Sequence, residues 1–195
     1  MLTLCLDTAY KYLTVTLIKD NKIIESLSYE CFKRQSEEVF VALEELFKKS
    51  GIGKKDIDAL CISEGPGSYT GVRIAMTIAK VLCKVKEIKL YKISTLRLYA
   101  GNKEKVAVVM DARANRVYLG IYDKGNCLLE DTIKEIKDLD LNEYNVILDG
   151  ELVGKENVVP DIPKCFLDTI SYWEEVKDIN FLTPKYLKES NAYYR

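Results

Sequence analysis

The chain contains no histidine. That removes the commonest general base and every catalytic triad built on imidazole, and with it any zinc centre of mixed cysteine and histidine ligands. The six cysteines, Cys5, Cys31, Cys61, Cys83, Cys127 and Cys165, never form a CxxC pair and mostly lie beside Leu, Ile or Phe, the pattern of reduced and largely buried thiols. No apolar run approaches the roughly 20 residues of a membrane span. The opening MLTLCLD has neither the basic stretch nor the cleavage site of a secretory signal, so the expected address is cytoplasmic, with no membrane partner. A basic excess is missing too. The formal net charge is -1 and the pI is near 5.8, which argues against a chain that grips nucleic acid alone. One stretch leans the other way: Lys80, Lys84, Lys86, Lys89, Lys92, Arg97, Lys103 and Lys105 face only Glu87 and Glu104. Such a run reads first as a solvated face, and second as a minor share of RNA contact within a larger assembly.

What is present suits a globular α/β protein: 195 residues, 48% hydrophobic and 30% charged, enough to bury a core. LTLCLD, LTVTLIKD and KIIESLSYE, separated by short polar turns, predict a three-stranded antiparallel meander. Shifted by 104 positions the plan recurs as VAVVMD, VYLGIYDK and CLLEDTI, with Asp7 falling on Asp111 and the turn Asp20-Asn21 on Lys124-Gly125. The repeat describes two lobes, residues 1–101 and 102–195, each with an acid at the end of its first strand. In the first lobe a helix is expected over Ser36–Lys49, capped by Ser36, with Glu37 and Glu38 in its first turn and Lys48 and Lys49 in its last. Strands are expected over Ile57–Ser63 and Ile88–Ser94, on either side of a second helix. In the shorter second lobe NVILDGE predicts a strand, and Phe166–Ile179 predicts a helix.

The stretch EGPGSYTGVRIAMTIAKVLCK, from Glu64, opens like an anion-binding loop. It lacks the Gly-Lys-Ser/Thr ending of a Walker loop, and Gly65, Gly67 and Gly71 are spaced one residue too widely for a dinucleotide loop. What remains is a helix capped by Ser68. Wound at roughly 100° per residue, its apolar residues cover an arc of about 220°, where a helix lying on one sheet needs little more than 100°. Gly67, Gly71, Ala75 and Ala79 form a small-residue row within that arc. The row reads either as close packing inside the lobe or as a docking surface for a second polypeptide.

LCLDTA, EGPGSYTGVRIA, MDARANRVY and the C-terminal LTPKYL together resemble the TsaB (YeaZ) family, which takes part in making threonylcarbamoyladenosine in tRNA. The resemblance implies two ribonuclease H-like lobes of the actin-like ATPase superfamily, the second reduced here. It also implies a catalytically silent subunit that docks on TsaD, the transferase, or on itself as a homodimer, and works with the ATPase subunit TsaE. It implies tRNA contact through the complex, and no cofactor of its own, ATP and Mg²⁺ belonging to the assembly. The docking helices would present Val39, Phe40, Leu43, Gly67, Ser68, Tyr69, Gly71, Val72, Ala75, Met76 and Ala79. Family members often carry a histidine near the start of the first docking helix, where this chain reads RQSEEV, and the turn after the first strand is Asp7-Thr8-Ala9, without the glycine of ATP-hydrolysing relatives. A rival reading makes the chain an ATP-binding phosphotransferase or ATPase of the same superfamily, with Asp7 and Asp111 facing one another across a cleft to hold Mg²⁺.

Overall fold

The computed structural model describes residues 1–187. The strands β1 (Leu2–Asp7), β2 (Tyr12–Lys19) and β3 (Lys22–Glu30) form the antiparallel meander. Asp20 and Asn21, both at positive φ, make the tight turn that the twist of a two-stranded hairpin favours. The helix α1 (Gln35–Ser50) leads to β4 (Ala59–Ser63), and α2 (Tyr69–Lys86) leads to β5 (Lys89–Ile93); both strands add parallel. A short helix, α3 (Thr95–Ala100), passes the chain to the second sheet. There β6 (Val106–Asp111), β7 (Arg116–Asp123) and β8 (Asn126–Glu135) repeat the meander, β9 (Asn145–Leu148) adds parallel to β6, and α4 (Ile162–Asp168) follows. The strands β6, β7 and β8 each begin 104 positions after β1, β2 and β3. The architecture is α/β, with two sheets, one of six strands and one of four, that share the same opening meander. The second half is reduced: where α1 connects β3 to β4, only a 3-10 turn, Ile136–Asp138, stands between β8 and β9.

Alternation along each strand divides the side chains between layers. Leu2, Leu4 and Leu6 of β1 join Val39, Leu46, Val72 and Ala79 beneath the two long helices. Cys5 points the other way, into a core shared by both sheets with Cys61, Tyr99, Val108, Met110 and Phe166. All six cysteines are free, and all but Cys127 are buried; burial pushes the Cys83 and Cys165 thiols up to about 11, so neither forms a reactive thiolate at neutral pH. Among the described residues, no helix is long and apolar enough to cross a membrane.

Three expectations need correction. Ser36 does not cap α1: the helix begins one residue earlier, Arg34 holds the cap position without a side-chain bond, and Gln35 is buried, its amide donating to the Tyr10 carbonyl at 2.7 Å. The helix expected over Phe166–Ile179 is instead α4, whose Asp161 cap accepts from the Lys164 amide at 3.1 Å and whose first turn holds Pro163. It stops at Thr169, whose hydroxyl bonds back to the Cys165 carbonyl at 2.7 Å. A 3-10 turn and a two-residue strand, β10 (Glu174–Glu175), follow. Finally, residues 102–195 are not one lobe. β10 pairs with β5, so the first sheet runs β10-β5-β4-β1-β2-β3, and Val176, Ile179 and Leu182 pack into the core beneath the long helices. Residues 188–195 of that expected lobe lie outside the described residues.

Candidate docking face and interlobe acids

The start of α2 is keyed to the turn that ends β1. Ser68 caps the helix, its hydroxyl accepting from the Gly71 amide at 3.2 Å, while the Ser68 amide donates to the Ala9 carbonyl at 2.7 Å. The Thr8 hydroxyl enters the first turn: it donates to the Gly71 carbonyl at 2.7 Å and accepts from the Ala75 amide at 3.2 Å. A Cβ at Gly67 would collide with the Ala9 carbonyl oxygen, and one at Gly71 with that of Thr8. The small-residue row therefore serves close approach of the protein's own backbone. Val39, Gly71, Val72, Ala75, Met76 and Ala79 are buried, and the expectation that they form a docking surface is corrected: their apolar area is already spent on the sheet beneath. Leu43 is buried as well, but it also lines the groove between the two long helices. Gly67 and Ser68 are half-buried, and of the expected interface Phe40 and Tyr69 stand exposed.

A second strip of α2, beside the small-residue row and nearer the C-terminal end of the helix, is bare. Val81 is 56% exposed and Val85 77%, while Phe40 on α1 is 61% exposed. Between the helices runs an apolar groove of about 350 Å³, lined by Phe40, Leu43, Phe47, Ile78, Val81 and Leu82 among others. Lys86 closes one end, its ammonium donating to the carbonyls of Lys54, Lys55 and Ile57. At the other end of α2, Arg73 lies 4.4 Å over the Tyr69 ring and donates to its hydroxyl at 2.6 Å. The surplus in the apolar arc was visible in the sequence; which residues made it up was not.

The two strand-end acids do not face each other. Asp7 is fully buried and accepts from the Ser63 hydroxyl, from the Tyr99 hydroxyl at 2.6 Å and from the Ala9 amide at 3.0 Å. Burial raises its pKa above the ordinary carboxylate value, against the lowering pull of those three donors. Asp111 is half-exposed and turned to its own loop, accepting from the Arg113 amide at 2.7 Å and pairing with the guanidinium at 3.0 Å. The acid that joins the lobes is Asp149, just after β9. It is buried, and it accepts from the Tyr10 hydroxyl, the Lys11 ammonium at 2.7 Å and the Asp111 amide at 2.8 Å. Burial, and then the bond to Asp149, raise the Tyr10 pKa. Partial burial pulls the Lys11 pKa down, but Asp149 outweighs it and the net shift is upward. A cavity of about 420 Å³ beside this clasp is lined by Tyr10, Lys33, Ser68, Tyr69, Asp111 and Arg113 among others. Among the described residues, no three His, Cys, Asp or Glu side chains converge to hold a metal.

The basic run is in part the solvated face expected, with Lys84, Lys89, Lys103 and Lys105 exposed, but several of its members are tied to the chain itself. Lys80 donates to the carbonyls of Asn180 at 3.1 Å and Leu182 at 3.0 Å, and Lys84 to the Asn180 side chain at 2.9 Å. Lys89 pairs with Glu175 and Lys92 with Glu64, each at 2.9 Å. Arg97 lies against the rings of Tyr122 and Tyr172 and donates to the Gly125 carbonyl at 2.6 Å. Much of the run thus holds the chain to itself and is not a free cationic face.

With this geometry in hand, comparison with known proteins gives a consistent result. Residues 29–149, more than half of the chain, match the family model described as TsaD: tRNA N6-adenosine threonylcarbamoyltransferase. The chain is 30% identical over 139 residues to the tRNA threonylcarbamoyladenosine biosynthesis protein TsaB of Bacillus subtilis, a match covering 69% of this chain and 61% of that protein. It is 28% identical over 193 residues to an uncharacterized protein of Mycoplasma genitalium, covering 95% of this chain and 94% of that one. The matches thus span about three fifths of the first TsaB relatives' own length, yet nearly all of the mycoplasmal relative's. YeaZ from Pseudomonas aeruginosa shares the fold, with a TM-score of 0.79 at 20% identity over 95% of this chain and 99% of that one. The chain belongs to the tRNA N6-adenosine threonylcarbamoyltransferase family, among its TsaB/YeaZ members.

Proposed function

We propose that the chain is a non-catalytic docking subunit in the synthesis of threonylcarbamoyladenosine in tRNA. It pairs with a TsaD-type transferase through the outer side of α1 and α2, reaches TsaE and tRNA through that assembly, and works in the cytoplasm. Alone, it closes the same side by pairing with a second copy. The observation that carries this reading is the bare apolar groove between Phe40 on α1 and Val81 on α2, because exposed aliphatic and aromatic side chains ringing one concave strip mark an interaction site. The names of the TsaB relatives supply the pathway.

The rival phosphotransferase reading needs a strand-end carboxylate open to Mg²⁺ and a phosphate. Against it stand Asp7, whose oxygens are taken by three protein donors, and Asp111, which pairs with Arg113. The residues present do not fit a bound Mg²⁺ nucleotide, so ATP and Mg²⁺ are left to the assembled complex. The test mixes the chain with its TsaD and measures mass by light scattering. Wild type should give a heteromer and Val81→Glu should stay apart; equal association by both would defeat the assignment.

A further inference from the structure

The segment from Val176 to Leu187 leaves the edge of the first sheet and crosses the polar flank of α2. Its anchors begin at the Val176 amide, which donates to the Leu90 carbonyl at 2.8 Å. Lys80 and Lys84 then hold Asn180 and Leu182, as described above, and Leu182 is buried in the core beneath α2. Further on, the Lys185 amide donates to the Glu64 carbonyl at 2.8 Å. The next residue, Gly65, has φ of +104°, and a Cβ there would fall 2.8 Å from the Lys185 carbonyl oxygen. The strap therefore lies directly on the loop that launches α2, and Tyr186 stacks on Tyr69, the first residue of α2, with ring centroids 5.3 Å apart.

The far end of the same strap is tied to the other lobe. The Lys185 ammonium pairs at 2.7 Å with Asp131 of β8, a carboxylate only 2% exposed. Asp131 also accepts from the Ser94 hydroxyl at 2.5 Å and the Tyr122 hydroxyl at 2.8 Å. Ser94 caps α3, the helix that joins the two sheets. One buried acid of the second lobe thus gathers the interlobe helix and the strap, and the strap in turn grips both the loop before α2 and its polar flank. Two segments that share part-buried, charge-assisted bonds resist independent shifts.

We infer that the C-terminal strap, locked by the Lys185–Asp131 pair, is a conformational coupling device that sets the first turns of α2 according to the position of the second lobe. Any partner seated on the outer side of α1 and α2 then senses the second lobe although it does not touch it, and by linkage its binding tightens the strap in return. The clause about a partner rests on the docking function proposed above; the coupling within the free chain does not.

The test is amide hydrogen exchange on the full chain, comparing wild type with Lys185→Met and with Lys185→Met combined with Asp131→Asn, which leaves no unpaired buried charge. The inference expects exchange at residues 68–75 to rise roughly tenfold or more in both variants, the scale of losing one charge-assisted bond, while amides of β7 hold their wild-type rates. A rise shared equally by β7 overturns it, because the pair then only stabilises the whole molecule; unchanged exchange in α2 overturns it as well. If exchange rises in α2 alone but titration with TsaD gives both variants the wild-type affinity, the coupling within the free chain stands and the clause about a partner falls; if wild type does not bind TsaD at all, the docking function falls and the exchange result is untouched.

Discussion

The inner and outer sides of α2 are both apolar and have opposite fates. On the inner side Gly71, Ala75 and Ala79 lie against the turn after β1, close enough for the Thr8 hydroxyl to enter the first turn of the helix. On the outer side Val81 and Val85 are bulkier and better able to fill a core, yet they stand in solvent. Apolar content therefore does not tell which side of a helix is covered by its own molecule. Side-chain size does better. Backbone-to-backbone approach demands glycine and alanine, so the small row marks the tightest internal contact, and the β-branched row is the area left uncovered.

Substitutions on the two sides should separate them sharply. Ala75→Glu places an unpaired carboxylate in the core and should cost about 4 kcal/mol or more in urea unfolding. Such a loss also explains why failure of this variant to bind a partner would say nothing about docking. Val81→Glu should leave stability within about 0.5 kcal/mol of wild type while weakening association with TsaD roughly 100-fold, about 2.8 kcal/mol, in titration calorimetry. An unfolding loss at Val81 comparable to that at Ala75 would erase the distinction between the sides. Gly71→Ala should come next, at about 2 kcal/mol, because the Thr8 carbonyl must retreat to admit one methyl; a neutral outcome in the same urea series would show that the approach is looser than drawn.

Much of this was legible in the sequence because it is periodic. The strands of both meanders, the 104-residue repeat and the two long helices follow from local alternation and helical spacing, and their bounds were read to within about two residues. The start of α1 was misread because Ser36 looks like a cap, whereas Gln35 is drawn into the helix by a bond to Tyr10, a partner 25 positions away. The C-terminal helix was misread because Thr169 ends α4 by folding its hydroxyl back onto Cys165, leaving Trp173 and its neighbours to the first sheet. Asp149 directly follows β9, and an acid at the end of a strand, as Asp7 and Asp111 are, was the one local signal for it; the 104-residue repeat does not reach it. Nothing local marks the Lys185–Asp131 pair, whose members lie 54 positions apart, nor the choice of outer over inner side on α2, which depends on where β1 lies.

The smallest effect concerns the turn under the inner side, where Asp7 precedes Thr8. Burial raises the Asp7 pKa above its ordinary value of 3.8, so in the window above 3.8 the folded chain binds more proton than the unfolded one. Stability from this group is then fully present below 3.8 and is lost as pH rises through the folded value. Asp7→Asn carries no such contribution. The wild-type unfolding free energy, measured against that of Asp7→Asn by urea titration, should therefore gain as pH falls from neutral toward 3.8, while carboxylates elsewhere titrate alike in both proteins and cancel. Val81→Glu, on the outer side, should leave that gain intact. A difference that shrinks on acidification would instead mean that the three donors, Ser63, Tyr99 and Ala9, outweigh burial at Asp7.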